Sequence, residues 1–337
     1  MQINPTKILL VQTAFIGDVI LITPLIKAIK ELYPNSILDV MVIPQTADIL
    51  AYNPNINKII TFDKRKNKII SFTKTLLLLK KKEYNLAITP HSSITTALLL
   101  KLARIPIRIG FDRWNAAKYL THKVPHLDNI HKINKNLELL KPLSDKVFSI
   151  QTELFPTDEM FVKAKNLVAK VSTSVKKVIA IAPGSVWFTK RWPTEYFQQL
   201  AKMLAENNFG LVLLGSREEQ IICDEVMPEK NSINLAGKLN LLESAAVVTN
   251  CDLMICNDSG ALHIANAMQT DVFAFFGPTV QSIGYFPFRQ SDFVFELEMN
   301  CRPCGSHGSK ACPLKHHDCM RMIDSEAVYK KIIEKFG

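Results

Sequence analysis

IAIAPGSVWFTKRW, Ile179 to Trp192, reads as a buried strand running into a small-residue turn. The pair Lys190-Arg191 follows, then Pro193, where a helix can begin. Strand, turn, cation and helix start together make a place for a phosphate. Unpaired N–H groups at a helix start attract anions, and a neighbouring cation adds charge. A second stretch of the same kind is DLMICNDSGALHIANAM, Asp252 to Met268. Here Asp258, Ser259 and Gly260 occupy the switch from strand to helix, and His263 lies one turn further on. Two such turns in one half of the chain predict a nucleotide held between neighbouring strand ends.

Working outward, the second half alternates strand and helix throughout. KKVIAIAPG, GLVLLG, INLAG, DLMICND and DVFAFFG read as strands. Between them lie helices over Thr194–Glu206, Glu218–Val226, Leu241–Asn250 and Ala261–Met268. The first half has the same rhythm. KILLVQ, SILDVMVI, NKIITFD, YNLAITP and IRIGF read as strands, with helices over Asp18–Tyr33, Ser71–Lys82 and Ser92–Ala103. Strands alternating with helices predict doubly wound parallel sheets. At 337 residues the chain exceeds the usual size of one core, so two domains are expected. The alternation pauses over Phe148–Thr157, around Pro156. The expected domains are 1–155 and 156–337, two Rossmann-like halves facing each other across a cleft. Ligands in such sheets bind at the carboxyl ends of the strands.

Charge divides the halves. Residues 1–155 hold 22 Lys and Arg against 11 Asp and Glu, a net of +11. Residues 156–337 hold 19 against 20, a net of −1. Much of the excess lies between Lys58 and Lys82 and includes the run Lys64, Arg65, Lys66 and Lys68. Such an imbalance points to an acidic partner: nucleic acid, anionic lipid or a phosphorylated glycolipid. Nucleic acid is disfavoured, because the basic stretch lacks interleaved aromatics and any RNA- or DNA-binding motif. No signal peptide is visible and no run reaches the roughly 18 apolar residues that span a bilayer. The expectation is a cytoplasmic protein.

The first strand ends in TAFIGD, Thr13 to Asp18. Gly17 permits a tight turn, and Asp18 stands at the start of the next helix. Two readings are open: Asp18 is an N-cap, or it is a general base aimed into the cleft.

Four segments together carry a resemblance. They are KILLVQTAFIGDVILITPLIKAIKELYP, APGSVWFTKRWP, LVLLGSREE and CNDSGALHIANAMQTDVFAFFGPT, with shorter agreement at YNLAITPHSS and IPIRIGF. The chain resembles the ADP-heptose–lipopolysaccharide heptosyltransferases of glycosyltransferase family 9, most of all their type II members. The resemblance implies a GT-B fold, with the acceptor in the N-terminal domain and the donor in the C-terminal one. The last helix could then pack back on the N-terminal domain. It implies transfer of L-glycero-D-manno-heptose from ADP-heptose to heptosyl-Kdo2-lipid A, with inversion in a single displacement. Asp18 matches the base and Lys190 the cation at the donor phosphates. Glu219, or Glu218 beside it, matches the acid at the ribose. Leu239 falls where an apolar residue borders the adenine. Asp258, Ser259 and Gly260 match the turn at the diphosphate and sugar, with His263 behind it. Ser185 and Thr189 complete the donor set; Thr13, Gly17, His91 and Ser92 stand on the acceptor side. Relatives often carry more glycine and alanine before the lysine, so bulky Trp187 and Phe188 are expected to narrow or restack the site.

An inverting transfer needs a base for the acceptor hydroxyl and positive charge for the departing diphosphate. D-x-D, a common metal-holding motif for the second task, is absent from the sequence. Lys190, Arg191 and the helix start after Ser259 can replace the metal, so no cofactor is expected. Each residue also has a plain structural reading: surface cation for Lys190 and Arg191, core histidine for His263, packing for Trp192, helix-start acids for Glu218 and Glu219. Cys223, Cys251 and Cys256 read as buried thiols. The segment CRPCGSHGSKACPLKHHDC holds Cys301, Cys304, Cys312 and Cys319 with His307, His316 and His317. It reads as a free-thiol loop, with structural zinc on the four cysteines as the alternative. The expected partners are an ADP-sugar, an anionic lipopolysaccharide core and, peripherally, the inner membrane surface. Other family 9 transferases of types I or III, and a GT-B sugar-nucleotide epimerase, are the competing readings.

Overall fold

The computed structural model describes residues 3–64 and 67–336, so Arg65 and Lys66 of the basic run lie outside the described residues. The chain divides into two compact units, Met1–Phe155 and Pro156–Gly337.

The first unit is a six-stranded parallel sheet: β1 (Lys7–Val11), β2 (Ile37–Val42), β3 (Lys58–Thr61), β4 (Leu86–Thr89), β5 (Ile107–Phe111) and β6 (His122–Val124). The strand order is β3-β2-β1-β4-β5-β6. Its helices are α1 (Ile16–Ile20), α2 (Thr23–Leu32), α3 (Lys68–Lys82), α4 (Ile94–Leu102) and α5 (Lys132–Leu137). Ile8, Leu9, Leu10 and Val11 are fully buried, as a strand covered on both faces requires. The single helix expected over Asp18–Tyr33 is two. Pro24 has no N–H for the carbonyl of Ile20, and its ring crowds that group. The Thr23 hydroxyl takes the bond instead, at 2.8 Å, and the chain restarts as α2. Asp39 is buried in mid-sheet, a costly place for an unpaired carboxylate. It accepts from the Tyr84 hydroxyl (2.6 Å), Asn57 Nδ2 (2.7 Å) and Lys82 Nζ (3.4 Å). Lys82 therefore serves an internal carboxylate rather than the solvated basic run.

The second unit repeats the plan. It contains α6 (Asp158–Ser172), β7 (Val178–Ala182), α7 (Thr194–Glu206), β8 (Gly210–Leu213), α8 (Gln220–Val226), β9 (Ser232–Asn234), α9 (Leu241–Thr249), β10 (Leu253–Asn257), α10 (Gly260–Ala267), β11 (Asp271–Phe276), β12 (Phe293–Glu296), α11 (Asp318–Arg321) and α12 (Ser325–Phe336). The order β12-β11-β10-β7-β8-β9, all parallel, is the first unit's order read from the other edge. Trp192 anchors the core: its ring stacks on Phe275 at 4.2 Å and its indole N–H reaches the Ile323 carbonyl at 3.0 Å. The last helix belongs to this core, with Val328 and Ile332 buried among Phe197, Leu200 and Phe275. Helix α6, which the sequence reading did not include, begins directly after the expected linker. Thr157 caps it, accepting from the Met160 N–H at 3.3 Å, and Ala164, Val168 and Val171 are its buried stripe.

In each sheet the strand order reverses beside the first strand, between β1 and β4 and between β7 and β10. The crevice outside such a switch point is where doubly wound sheets bind ligands.

Candidate active site

In the second unit, β7 and β10 run side by side and end together. Asn257, the last residue of β10, ties the two ends. Its Nδ2 donates to the carbonyls of Pro183 (2.8 Å) and Gly184 (3.3 Å), and its Oδ1 accepts from the Trp192 N–H at 2.8 Å. The turn after β7 is thus pinned at both ends, and Arg191 Nε closes it onto the Ser185 carbonyl at 2.8 Å. Lys190 points to the β10 turn, where its Nζ meets Asp258 Oδ2 at 2.5 Å. The pair is nearly buried, at 14% and 7% side-chain exposure. The same oxygen accepts from the Thr279 hydroxyl at 2.6 Å. A charge-assisted bond this short fixes the ammonium in place. A carboxylate repels an anion, so the group this pair presents to one is the Lys190 ammonium. Next to it, Ser259 leads into α10 and makes no side-chain cap to the first turn. First-turn N–H groups in that position favour an anion.

Glu219, not Glu218, reaches this place. Glu219 closes a capping box with Ser216, accepting from its N–H at 2.8 Å. Its carboxylate lies against the turn, and a Cβ added at Gly184 would fall 2.0 Å from Oε1. Glu218 is exposed. Leu239 is half-buried beyond Gly237, and His263 is buried with its ring edge-on to Tyr285 at 6.2 Å.

The cysteine-rich segment straps this turn. Thr189 is buried beneath it. Its N–H donates to the Ser309 carbonyl at 3.1 Å, its hydroxyl accepts from the Ser309 N–H at 2.8 Å, and its carbonyl meets His317 Nε2 at 2.8 Å. Phe188 stacks on His317 at 5.4 Å. Gly308 is pressed so close that a Cβ would lie 2.5 Å from Trp187 Cβ and 2.9 Å from Lys190 Cγ. Bulky Trp187 and Phe188 therefore pack on the strap. All seven cysteines are free thiols. Among the described residues no three His, Cys, Asp or Glu side chains are gathered as a metal group.

In the first unit the ends of β1 and β4 carry the second cluster. Thr13 is buried after β1, and its hydroxyl lies 3.1 Å from His91 Nδ1. Lys64 reaches in from the end of β3. Its Nζ donates to Thr13 Oγ1 (2.7 Å), Ser93 Oγ (2.9 Å) and Thr96 Oγ1 (2.7 Å). Its partners are neutral hydroxyls, and burial pushes its pKa down to about 8. His91 is pushed down to about 4, by burial first and then by Lys64, with Asp18 opposing and Lys132 adding. It is a neutral imidazole at pH 7. Asp18 stands in the first turn of α1, half-buried. It does not cap: the N-cap is Phe15, which has no side-chain acceptor. Lys132, on α5, lies within reach of the Asp18 charge, and burial lowers its pKa, with Lys135 and Arg113 acting the same way.

A family model described as glycosyltransferase family 9 (heptosyltransferase) matches residues 72–315. The chain belongs to glycosyltransferase family 9. Lipooligosaccharide heptosyltransferase 2 of Campylobacter jejuni is 27% identical over 337 residues, covering 97% of this chain and 98% of that one. Among solved structures, a family 9 glycosyl transferase from Veillonella parvula superposes with a TM-score of 0.86 at 22% identity, over 100% and 98% of the two chains. ADP-heptose LPS heptosyltransferase II of E. coli does so at 0.79 and 22% identity, over 98% of both. The two Rossmann-like units make the GT-B architecture of these glycosyltransferases.

Of the residues expected at the donor, the structure brings Ser185, Thr189, Lys190, Asp258, Ser259 and Gly260 to one pair of strand ends. Glu219 joins them through Gly184. The sequence reading missed Asn257 and Thr279. It also counted Lys64 in a surface run, whereas the lysine sits among Thr13, His91 and Ser93. Ser93, not its neighbour Ser92, bonds to it. Gly17 is not in a tight turn: it lies inside α1, and its carbonyl accepts from the Leu21 N–H at 2.9 Å.

Proposed function

We propose that this glycosyltransferase moves L-glycero-D-manno-heptose from ADP-heptose to the heptosyl-Kdo2-lipid A inner core of lipopolysaccharide, inverting the anomeric carbon without a metal ion. The carrying observation is the Lys190–Asp258 pair, seated where β7 and β10 end and next to the first turn of α10. That place offers a fixed cation and helix N–H groups to a nucleoside diphosphate. The near full-length likeness to a heptosyltransferase 2 supports the choice of sugar and acceptor.

In this reading the acceptor hydroxyl oxygen attacks the anomeric carbon as the bond to the diphosphate oxygen breaks. Asp18 takes the hydroxyl proton. ADP leaves with the bonding electrons, its growing charge met by Lys190 and the α10 N–H groups. Asp258 and Thr279 hold Lys190 in line, and Glu219 takes the ribose hydroxyls. On the acceptor side, Lys64 meets an anionic group of the core, with neutral His91 and Thr13 beside it. The enzyme works at an anionic membrane surface, where its acceptor resides.

The test is a donor screen over ADP-, UDP- and GDP-sugars. Nucleoside diphosphate release is read with and without core acceptors bearing no, one or two heptoses. ADP release that needs ADP-heptose and the one-heptose acceptor, and survives EDTA, is the expected result. Preference for the heptose-free acceptor or for a longer one would reassign it to another type. Epimerisation without acceptor would remove it from the transferases.

A further inference from the structure

Helix α3 has one face too many. Phe72, Thr75, Leu76 and Leu79 recur at helical spacing and face the core of the first unit. That stripe suffices to hold a surface helix. Yet Ile69, Ile70, Leu77 and Leu78 point outward, at 83%, 54%, 62% and 37% exposure. They fall on two adjacent rows four residues apart, Ile69–Thr73–Leu77 and Ile70–Lys74–Leu78. Lys68, Lys74, Lys80 and Lys81 are exposed with them, and α3 contains no acidic residue. Exposed apolar patches mark an interaction surface. A protein-facing patch is poor in lysine at its core, whereas lysines mixed among exposed aliphatics suit a lipid interface, where their stems lie on the apolar layer and their ammonium groups reach the phosphates.

The amino end of α3 also borders the acceptor-side cluster. A cavity of about 430 Å³ there is lined by Lys64, Lys68, Ile69 and Phe72, among others. Lys64 is the residue that bonds Thr13 and Ser93. One helix thus runs from an outward apolar and basic face to the cluster assigned to the acceptor.

We propose that the outward face of α3 docks on the anionic headgroup layer of a bilayer. Its aliphatic side chains enter the apolar boundary, and Lys68, Lys74, Lys80 and Lys81 pair with lipid phosphates. The inference deepens the proposed function, since it names the segment that brings the enzyme to a lipid-anchored acceptor.

The experiment is vesicle co-sedimentation of the full chain. Binding to vesicles of phosphatidylethanolamine and phosphatidylglycerol is compared with binding to phosphatidylcholine alone, for wild type, Ile70→Glu/Leu77→Glu and Lys74→Gln/Lys80→Gln/Lys81→Gln. Wild type should bind the anionic vesicles at least tenfold more tightly. Each variant should lose at least tenfold, with an unchanged circular dichroism spectrum and unchanged transfer to a deacylated, water-soluble acceptor. Wild-type indifference to anionic lipid, or variants that sediment like wild type, overturns the docking. So does a wild-type dimer dissociated by the glutamates without vesicle binding, which assigns the face to a second copy. Failure of wild type to use the soluble acceptor would instead strike the proposed function, and the vesicle result would stand apart from it.

Discussion

The two units share a strand order and treat a buried lysine in opposite ways. In the second, Lys190 is locked to a carboxylate at 2.5 Å. In the first, Lys64 donates to three hydroxyls. A cation held by a carboxylate has a fixed direction for its remaining N–H donors, so it suits a ligand that must be aligned. A cation among hydroxyls keeps its charge unneutralised, and burial makes that charge uncomfortable, which is why its pKa falls to about 8. It suits a ligand that brings an anion. One topology thus supports a positioning site and a charge-hungry site, in line with the −1 and +11 of the two halves.

The largest effect is expected at Asp18. Asp18→Asn keeps the size of the side chain and removes the proton acceptor. Turnover should fall about 100- to 10,000-fold, the range for acid–base groups, with donor affinity unchanged by calorimetry. Near-normal turnover would leave the first unit with binding alone. Next is Lys190→Ala. Loss of one aligned electrostatic group costs about 3 kcal/mol of barrier, roughly 150-fold in kcat/KM for the donor. Donor affinity should weaken with it, and acceptor KM should hold. If the acceptor constant moved instead, the assignment of donor to the second unit would be reversed.

On the first unit's side the lever is pH. In the proposed function Lys64 meets the acceptor's anion, and it does so only when protonated. With a pKa of about 8, acceptor KM should rise about tenfold by pH 9, following the protonated fraction, while donor KM stays flat. Lys64→Arg, which stays charged, should abolish the rise. Stability carries its own signature. His91 is neutral in the fold and charged in the unfolded chain between pH 6.5 and about 4. The unfolded state binds the extra proton there, so this group's contribution is complete above pH 6.5 and is lost as pH falls toward 4. A thermal melt series of wild type against His91→Gln should show a shallower acid decline in the variant. Smallest is Thr279→Val, which removes one hydroxyl from Asp258. A net hydrogen bond of about 1 kcal/mol predicts roughly fivefold weaker donor binding. No change would mean that Asp258 holds Lys190 unaided.

The strands were legible because the parallel sheets bury both faces and leave unbroken apolar runs, such as Leu253–Cys256. The turn after β7 was legible because Lys190 lies seven residues beyond Pro183 on one strand–helix switch. Lys64 was not: it meets Thr13 from 51 residues away and Thr96 from 32. Nothing local separates it from the run that follows it. Asn257 and Thr279 are ordinary polar residues whose roles exist only once β7, β10 and β11 lie side by side. Helix α6 was hidden because Pro156 and Thr157, which start it, also look like a linker. Short edge strands such as β6 leave too little pattern to read.

Gly308 leaves no room between the cysteine-rich strap and the turn that carries Lys190. The two segments can therefore be exchanged only as one part. A chimera that takes its turn from one homologue and its strap from another would misplace the lysine, though both pieces fold.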